Sequence, residues 1–350
     1  MAPPSAATQR IVLQKVLSLP SPVLRLMSGG GVVYQGGRTL DPRLQYIAAQ
    51  ARREPHLSTM TPEEARRASA RLGALMAAPP EPGVRSEDLE IPGPAGAIPA
   101  RVYRPEAQDP EAPLLVYAHF GGGVLGDLET CHSFCTVLAA TGRGPVLSVA
   151  YRLAPEHRFP AGLEDMLAAY HWGREAAERF GAPVAQAAVG GDSWGGNLAA
   201  VVCQELKRAG EPQPVLQLLI YPGTDVACQS ASVATYGGAF PLDKPLMDWS
   251  MGHYMGPGDD PADPRLSPLK AKDVSGLAPA IVVTAGFDPL LDQGEAYARR
   301  LRESGVATVY RCYDSLCHGF TAFTGAVPAA DVACREIAGL MREAFEGRLA

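Results

Sequence analysis

The stretch Ala185-Gln186-Ala187-Ala188-Val189-Gly190-Gly191-Asp192-Ser193-Trp194-Gly195-Gly196-Asn197-Leu198 decides how this chain is read. Its opening run of small and apolar residues predicts a strand over 185–190. From Gly195 onward, Leu198, Val201, Val202 and Leu206 recur on one helical face, which predicts a helix ending near Ala209. Between the two lies Gly-x-Ser-x-Gly. A chain that passes from strand to helix in so few residues brings backbone hard against backbone, so Cβ atoms beside the apex are excluded at Gly191 and Gly195. Asp192 is a structural member of the same turn. Ser193, at the apex, is lifted into the open at a helix N-terminus, whose dipole favours developing negative charge. Taken alone, the five residues also fit a Gly-rich connection without chemistry. The surrounding pattern has to separate the two readings.

Working outward, short apolar runs at Leu114–Ala118, Val146–Ala150, Val215–Tyr221, Ala280–Ala285 and Ala307–Tyr313 predict further strands. Helical patterns at Ala161–Arg179, Pro289–Glu303 and Ala330–Phe345 fall between or after them. Continuously apolar strands alternating with helices define an α/β class: a mostly parallel central sheet flanked by helices on both faces. Leu89–Ile91 and Ile98–Tyr103, around a Gly/Pro-rich turn, predict a hairpin at its start. The core is therefore assigned to residues 86–221 and 279–350.

Residues 1–85 read as an N-terminal helical cap region. Asp41-Pro42 starts one helix, and Thr61-Pro62-Glu63-Glu64 starts another with a capping box that Pro79-Pro80 terminates. Residues 222–278, rich in Gly, Asp and Pro, interrupt the alternation and are expected to add to the cap above the carboxyl ends of the strands.

Composition narrows the function classes. Of 350 residues, 47% are hydrophobic and 19% charged, enough for a sizeable core. A net charge of −6 without a basic run argues against nucleic acid as a partner. A membrane partner is not expected either: the N-terminal apolar segment is modest in length and interrupted by Lys15, Pro20, Pro22 and Arg25, so a cap or homodimer role fits it better. Seven scattered cysteines suggest reduced thiols and a cytoplasmic location, with no paired ligand spacing for a metal.

A serine hydroxyl needs a base to remove its proton as it attacks. Among seven histidines, His318 follows the last predicted strand and lies C-terminal to the serine, whereas His132 and His157 precede it, His56 and His171 fall in helical segments, and His253 lies in the insertion. The imidazole in turn needs a carboxylate to fix its tautomer. Asp288 stands at a strand's carboxyl end between Ser193 and His318, with Asp292 and Asp314 as rivals. His119-Phe120-Gly121-Gly122-Gly123 follows the strand Leu114–Ala118, and its glycines suit a backbone that donates N–H groups to an oxyanion.

Together these residues resemble the bacterial hormone-sensitive-lipase-like (family IV) carboxylesterases of the α/β-hydrolase superfamily. The marks are the loop 119–123, Gly126-Asp127-Leu128-Glu129-Thr130, Tyr151-Arg152-Leu153-Ala154-Pro155-Glu156, Gly191 to Gly196, Asp288-Pro289-Leu290 and His318-Gly319-Phe320. The resemblance spans roughly residues 40–345. It implies an α/β-hydrolase fold with a helical cap, and hydrolysis of short- to medium-chain acyl esters, small molecules, without a cofactor. It also implies a Ser193-His318-Asp288 triad, oxyanion donors at Gly121, Gly122 and Trp194, and a structural role for His119. Two positions depart from the family pattern. Phe120 and Gly123 exchange the usual places of glycine and aromatic, and Trp194 replaces the usual alanine; Phe120, Gly123 and Trp194 are expected to shape the substrate pocket. An amidase or acyltransferase using the same triad, or a non-catalytic receptor of the same fold, are the alternatives.

Overall fold

The computed structural model describes residues 6–349. Its frame is one sheet of eight strands: β1 Val84–Gly93, β2 Gly96–Pro105, β3 Leu114–Ala118, β4 Val146–Val149, β5 Ala187–Asp192, β6 Gln217–Ile220, β7 Ala280–Phe287 and β8 Thr308–Cys317. They lie in the order β8-β7-β6-β5-β3-β4-β2-β1. β1 and β2 pair antiparallel, as do β2 and β4, and all the other pairs are parallel. This is the α/β-hydrolase arrangement.

Alternate residues of each strand serve different faces. Leu114, Val116 and Ala118 join one apolar cluster with Val189, Leu219 and Val282. That cluster is closed by helices α6 (Ala161–Ala176), α7 (Trp194–Ala209) and α10 (Leu291–Glu303), through Met166, Val201 and Tyr297 among others. Leu115 and Tyr117 join a second cluster with Leu218, Ile220 and Ile281, closed by α5 (His132–Gly142) and α11 (Pro328–Phe345). With both faces covered, the central parallel strands are buried throughout and nearly all apolar, which is why they stood out as continuous runs.

Two parts of the core depart from expectation. The hairpin is longer than predicted: β1 and β2 stay in register from Val84↔Pro105 to Gly93↔Gly96. Arg85, Glu87 and Asp88 lie on the solvent side of this edge strand, so polarity concealed it. Helix α5 was not foreseen. It is buried nearly all round, with Phe134, Val137, Leu138 and Gly142 among its buried residues, and so carries no one-sided apolar stripe. Its C-terminal Gly142 lets α11 approach, since a Cβ there would stand 2.3 Å from Met341 Cε.

The N-terminal region contributes α1 (Ala6–Leu17), α2 (Ser21–Met27), α3 (Pro42–Ala51) and α4 (Pro62–Met76). Asp41 Oδ1 accepts the Arg43 N–H at 2.8 Å to cap α3. At α4 the capping box forms, Thr61 N–H donating to Glu64 Oε2 at 3.0 Å and Glu64 N–H to Thr61 Oγ1 at 3.4 Å. His56, expected in a helix, instead lies in the irregular link between α3 and α4, ahead of a short turn at Leu57–Thr59. The interval 222–278 is not wholly irregular: it contains α8 (Ala231–Tyr236) and α9 (Lys244–Tyr254), the latter built on Leu246, Met247 and Trp249.

Core and cap should respond differently to truncation. Ile281, wholly buried in β7, should cost about 2–5 kcal/mol as Ile281→Ala. Thr61→Ala, which removes only an exposed cap, should cost about 1 kcal/mol. Urea denaturation followed by circular dichroism ranks the two.

Candidate active site

Strand β5 ends at Asp192 and α7 begins at Trp194, leaving Ser193 alone at the bend with φ 56° and ψ −115°. The bend is closed by backbone contacts. A Cβ on Gly195 would lie 2.0 Å from the Ala118 carbonyl oxygen, and one on Gly191 2.4 Å from the Gly195 carbonyl. Ser193 keeps 8% of its surface, turned toward a cavity.

Two other strand ends deliver the remaining groups. β7 finishes at Phe287 and hands over to Asp288; β8 finishes at Cys317 and hands over to His318. His318 Nε2 lies 2.8 Å from Ser193 Oγ, and His318 Nδ1 lies 2.7 Å from Asp288 Oδ2. A carboxylate only accepts, so Nδ1 carries the proton and Nε2 is left to accept from the serine hydroxyl. Asp288 is wholly buried, and its Oδ1 accepts the Leu290 N–H at 2.7 Å, which fixes the carboxylate plane. The rivals are engaged elsewhere: Asp292 accepts the Ser232 N–H at 2.7 Å, and Asp314 pairs with Arg38 at 2.8 Å.

Asp192 braces this assembly from beneath. Its buried carboxylate accepts from Thr321 Oγ1 at 2.8 Å and from the Tyr221 hydroxyl at 2.9 Å. Burial pushes its pKa up, and those same hydroxyls partly hold it down. Tyr221 closes β6 with its ring 4.8 Å from that of His318, and Thr321 lies three residues beyond the histidine. One carboxylate thus ties the serine bend to the histidine loop.

The loop after β3 approaches the serine from the other side. His119 is buried, stacked on Tyr151 with centroids 4.5 Å apart, and its Nδ1 lies 2.8 Å from the Phe120 carbonyl. Burial lowers its pKa, so it remains neutral and braces the loop. Gly121 and Gly122 both have positive φ, 135° and 63°. Among the described residues, the N–H groups of Gly121, Gly122 and Trp194 make no hydrogen bond within the chain. All three residues line the cavity that Ser193 and His318 also line.

That cavity measures about 570 Å³. The N-terminal region supplies Leu57, Leu72 and Leu75 to its wall, and the insertion supplies Phe240, Leu246 and Met251. Phe120 and Trp194 are in the wall as expected. Gly123 is not: Tyr254 occupies its free side, and a Cβ there would lie 2.3 Å from the Tyr254 ring. Tyr254, from α9, fills the space beside Gly123 and packs edge-to-face on Trp194 at 4.7 Å.

Sequence reasoning missed how the two accessory segments meet over the site. His56 Nε2 lies 2.9 Å from Asp243 Oδ2, the residue that caps α9 by accepting the Leu246 N–H. Arg66 of α4 reaches the core, bonding the Val124 and Ala154 carbonyls at 2.8 Å each and Glu156 at 2.7 Å. Polar residues so far apart in the chain carry no local signal. The Tyr151-Arg152-Leu153-Ala154-Pro155-Glu156 motif was the one available clue to the second contact.

A strand-end serine, histidine and carboxylate thus stand in hydrogen-bond sequence beside unpaired peptide N–H groups on an α/β-hydrolase frame. Comparisons with known proteins identify that frame. The family model for the alpha/beta hydrolase fold matches residues 115–322, and the chain belongs to that family, in its hormone-sensitive-lipase-like (family IV) branch. It is 46% identical to the carboxylic ester hydrolase LipN of Mycobacterium tuberculosis, over 86% of this chain and 82% of that one. It is 38% identical to an ethyl acetate hydrolase of Pseudomonas putida, over 77% and 86%. Among solved structures, an α/β-hydrolase enzyme from the Lake Arreo metagenome superposes with a TM-score of 0.84 at 42% identity, covering 88% of this chain and 99% of that one. The chain is a carboxylic-ester hydrolase.

If the bend holds Ser193 in register, crowding it should cost activity without touching any reacting group. Gly195→Ala should lower kcat/KM by about 100-fold or more, as displacements near 1 Å do. Gly196→Ala, whose Cβ would meet nothing nearer than 3.1 Å, should be milder. Initial rates on one soluble ester compare the two.

Proposed function

We propose that this hydrolase cleaves short- to medium-chain acyl esters through an acyl-enzyme on Ser193, with His318 as general base and Asp288 as its orienting carboxylate. The observation that carries the reading is the unbroken line of contacts, 2.8 Å from serine to imidazole and 2.7 Å from imidazole to carboxylate.

Ser193 Oγ attacks the ester carbonyl as His318 Nε2 takes its proton, and the carbonyl π electrons move onto oxygen. The N–H groups of Gly121, Gly122 and Trp194 receive that oxyanion, which costs no reorganisation because they are already unpaired. His318 then returns the proton to the departing alkoxide. Water, deprotonated by the same nitrogen, attacks the acyl-enzyme, and Ser193 leaves with the proton from His318. With Asp288 wholly buried, solvent screens the imidazolium–carboxylate attraction little.

Substrate size is read from the walls. A cavity of about 570 Å³ lies within the range of small-molecule sites, and its apolar lining suits neutral acyl and alcohol groups. Residues 1–85 and 222–278 act as the cap, excluding bulk water and selecting substrate. Seven free thiols, five of them buried, support a reducing, cytoplasmic setting.

Asp288→Asn should leave the fold intact and lower kcat about 10⁴-fold by presenting the wrong imidazole tautomer. Hydrolysis of a series of p-nitrophenyl esters, with Ser193→Ala as blank and matched anilides alongside, measures this and separates ester from amide preference. In the same series Phe120→Gly and Trp194→Ala should each shift the chain-length profile toward longer acyl groups. Unchanged profiles for both would remove these two side chains from the account of specificity.

A further inference from the structure

The N-terminal helices carry apolar side chains on the side that faces water. On α1 the exposed positions among the described residues are Thr8, Ile11, Val12, Gln14 and Lys15, while Leu17 turns inward and is buried. On α2 they are Pro22, Val23, Leu26 and Met27, with Leu24 buried. The loop that follows exposes Val32 and Tyr34. Seven of the ten large apolar side chains exposed among the described residues thus fall between positions 11 and 34, with Leu26 at 76% and Tyr34 at 69%. A helix pair that merely covered a core would turn such residues inward.

Charge says what the surface fits. Residues 1–40 contain Arg10, Lys15, Arg25 and Arg38 and no Asp or Glu, so all 37 acidic residues of the chain lie beyond them. Arg38 pairs with Asp314. Among the described residues no carboxylate lies within ion-pair distance of Arg10, Lys15 or Arg25. A second copy docked on this face about a two-fold axis would bring like charges together without a partner in the segment. Arg10 donates to the Ala74 carbonyl and the Arg25 Nε is buried, which leaves Lys15 as the exposed cation of a segment without acids. An anionic lipid surface pairs Lys15, meets no carboxylate in the segment and receives the apolar side chains, while the acidic remainder of the molecule is held away.

We propose that α1, α2 and the loop to Tyr34 form an interfacial docking surface for anionic phospholipid membranes. This is a surface contact; no helix among the described residues is long and apolar enough to cross a membrane. α1 also reaches the cavity wall, since Arg71, which lines the active-site cavity, donates to Gln9 Oε1 on α1 at 3.5 Å.

Flotation of the full-length protein with phosphatidylcholine vesicles containing about 30% phosphatidylglycerol tests this, against pure phosphatidylcholine vesicles and against raised salt. The protein should float with the anionic vesicles only, and release as salt rises. Ile11→Asp combined with Leu26→Asp should lower the bound fraction about tenfold or more, and Lys15→Glu should weaken it less. These positions are exposed and, unlike Leu57, Leu72 and Leu75 of the cap, do not line the cavity, so hydrolysis of a water-soluble ester should be unchanged, which excludes misfolding. Failure to bind anionic vesicles, or binding that survives the double substitution, overturns the proposal. So does sedimentation as a dimer that the double substitution dissociates, which would assign the face to a second copy.

Discussion

At position 195 the Ala118 carbonyl oxygen occupies the space a side chain would need, and that contact governs what the rest of the molecule can do. It forces β5 to turn within one residue. Ser193 is then held at a positive φ at the start of α7. Because Ala118 also ends β3, the same contact brings the 119–123 loop beside the serine, so Ser193 and the unpaired N–H groups of Gly121 and Gly122 are placed by one piece of backbone packing. Asp192 extends the constraint, since its hydrogen bonds reach Tyr221 at the end of β6 and Thr321 beyond His318. Four strand ends are thereby referred to a common point.

The accessory segments are tied down in two ways. Leu17, Leu44, Ile47 and Met76 of the N-terminal helices and Tyr236 and Tyr254 of the insertion pack into the apolar layers on either face of the sheet, and polar contacts join the segments to the core and to each other. His56 with Asp243 and Arg66 with Glu156 are examples, both at the surface. Such contacts contribute little individually and can break without disturbing the core.

How much of this was legible in the sequence follows from the same division. The parallel strands, buried on both faces, wrote themselves as apolar runs, and strand-end logic singled out Ser193, Asp288 and His318, which the fold brings into hydrogen-bond contact where three strands stop. Helix α5 was invisible for the opposite reason: a helix buried nearly all round has no periodicity to detect. The hairpin extended further than its apolar centre because Arg85, Glu87 and Asp88 pair through backbone that polarity does not report. Gly123 was expected in the pocket because it stands where the resembled family has an aromatic; only the fold could show that Tyr254, far along the chain, fills the space beside it. The outward apolar faces of α1 and α2 likewise needed coordinates, since periodicity reveals that a helix has a stripe and not which way the stripe points.

The central claim is that one serine among many is made nucleophilic by its position. Treatment with a fluorophosphonate, followed by intact-mass and peptide mapping, tests it most directly. The account predicts a single adduct on Ser193 that is absent from Ser193→Ala. An unmodified protein that still hydrolyses ester, or an adduct on any other serine, would contradict it.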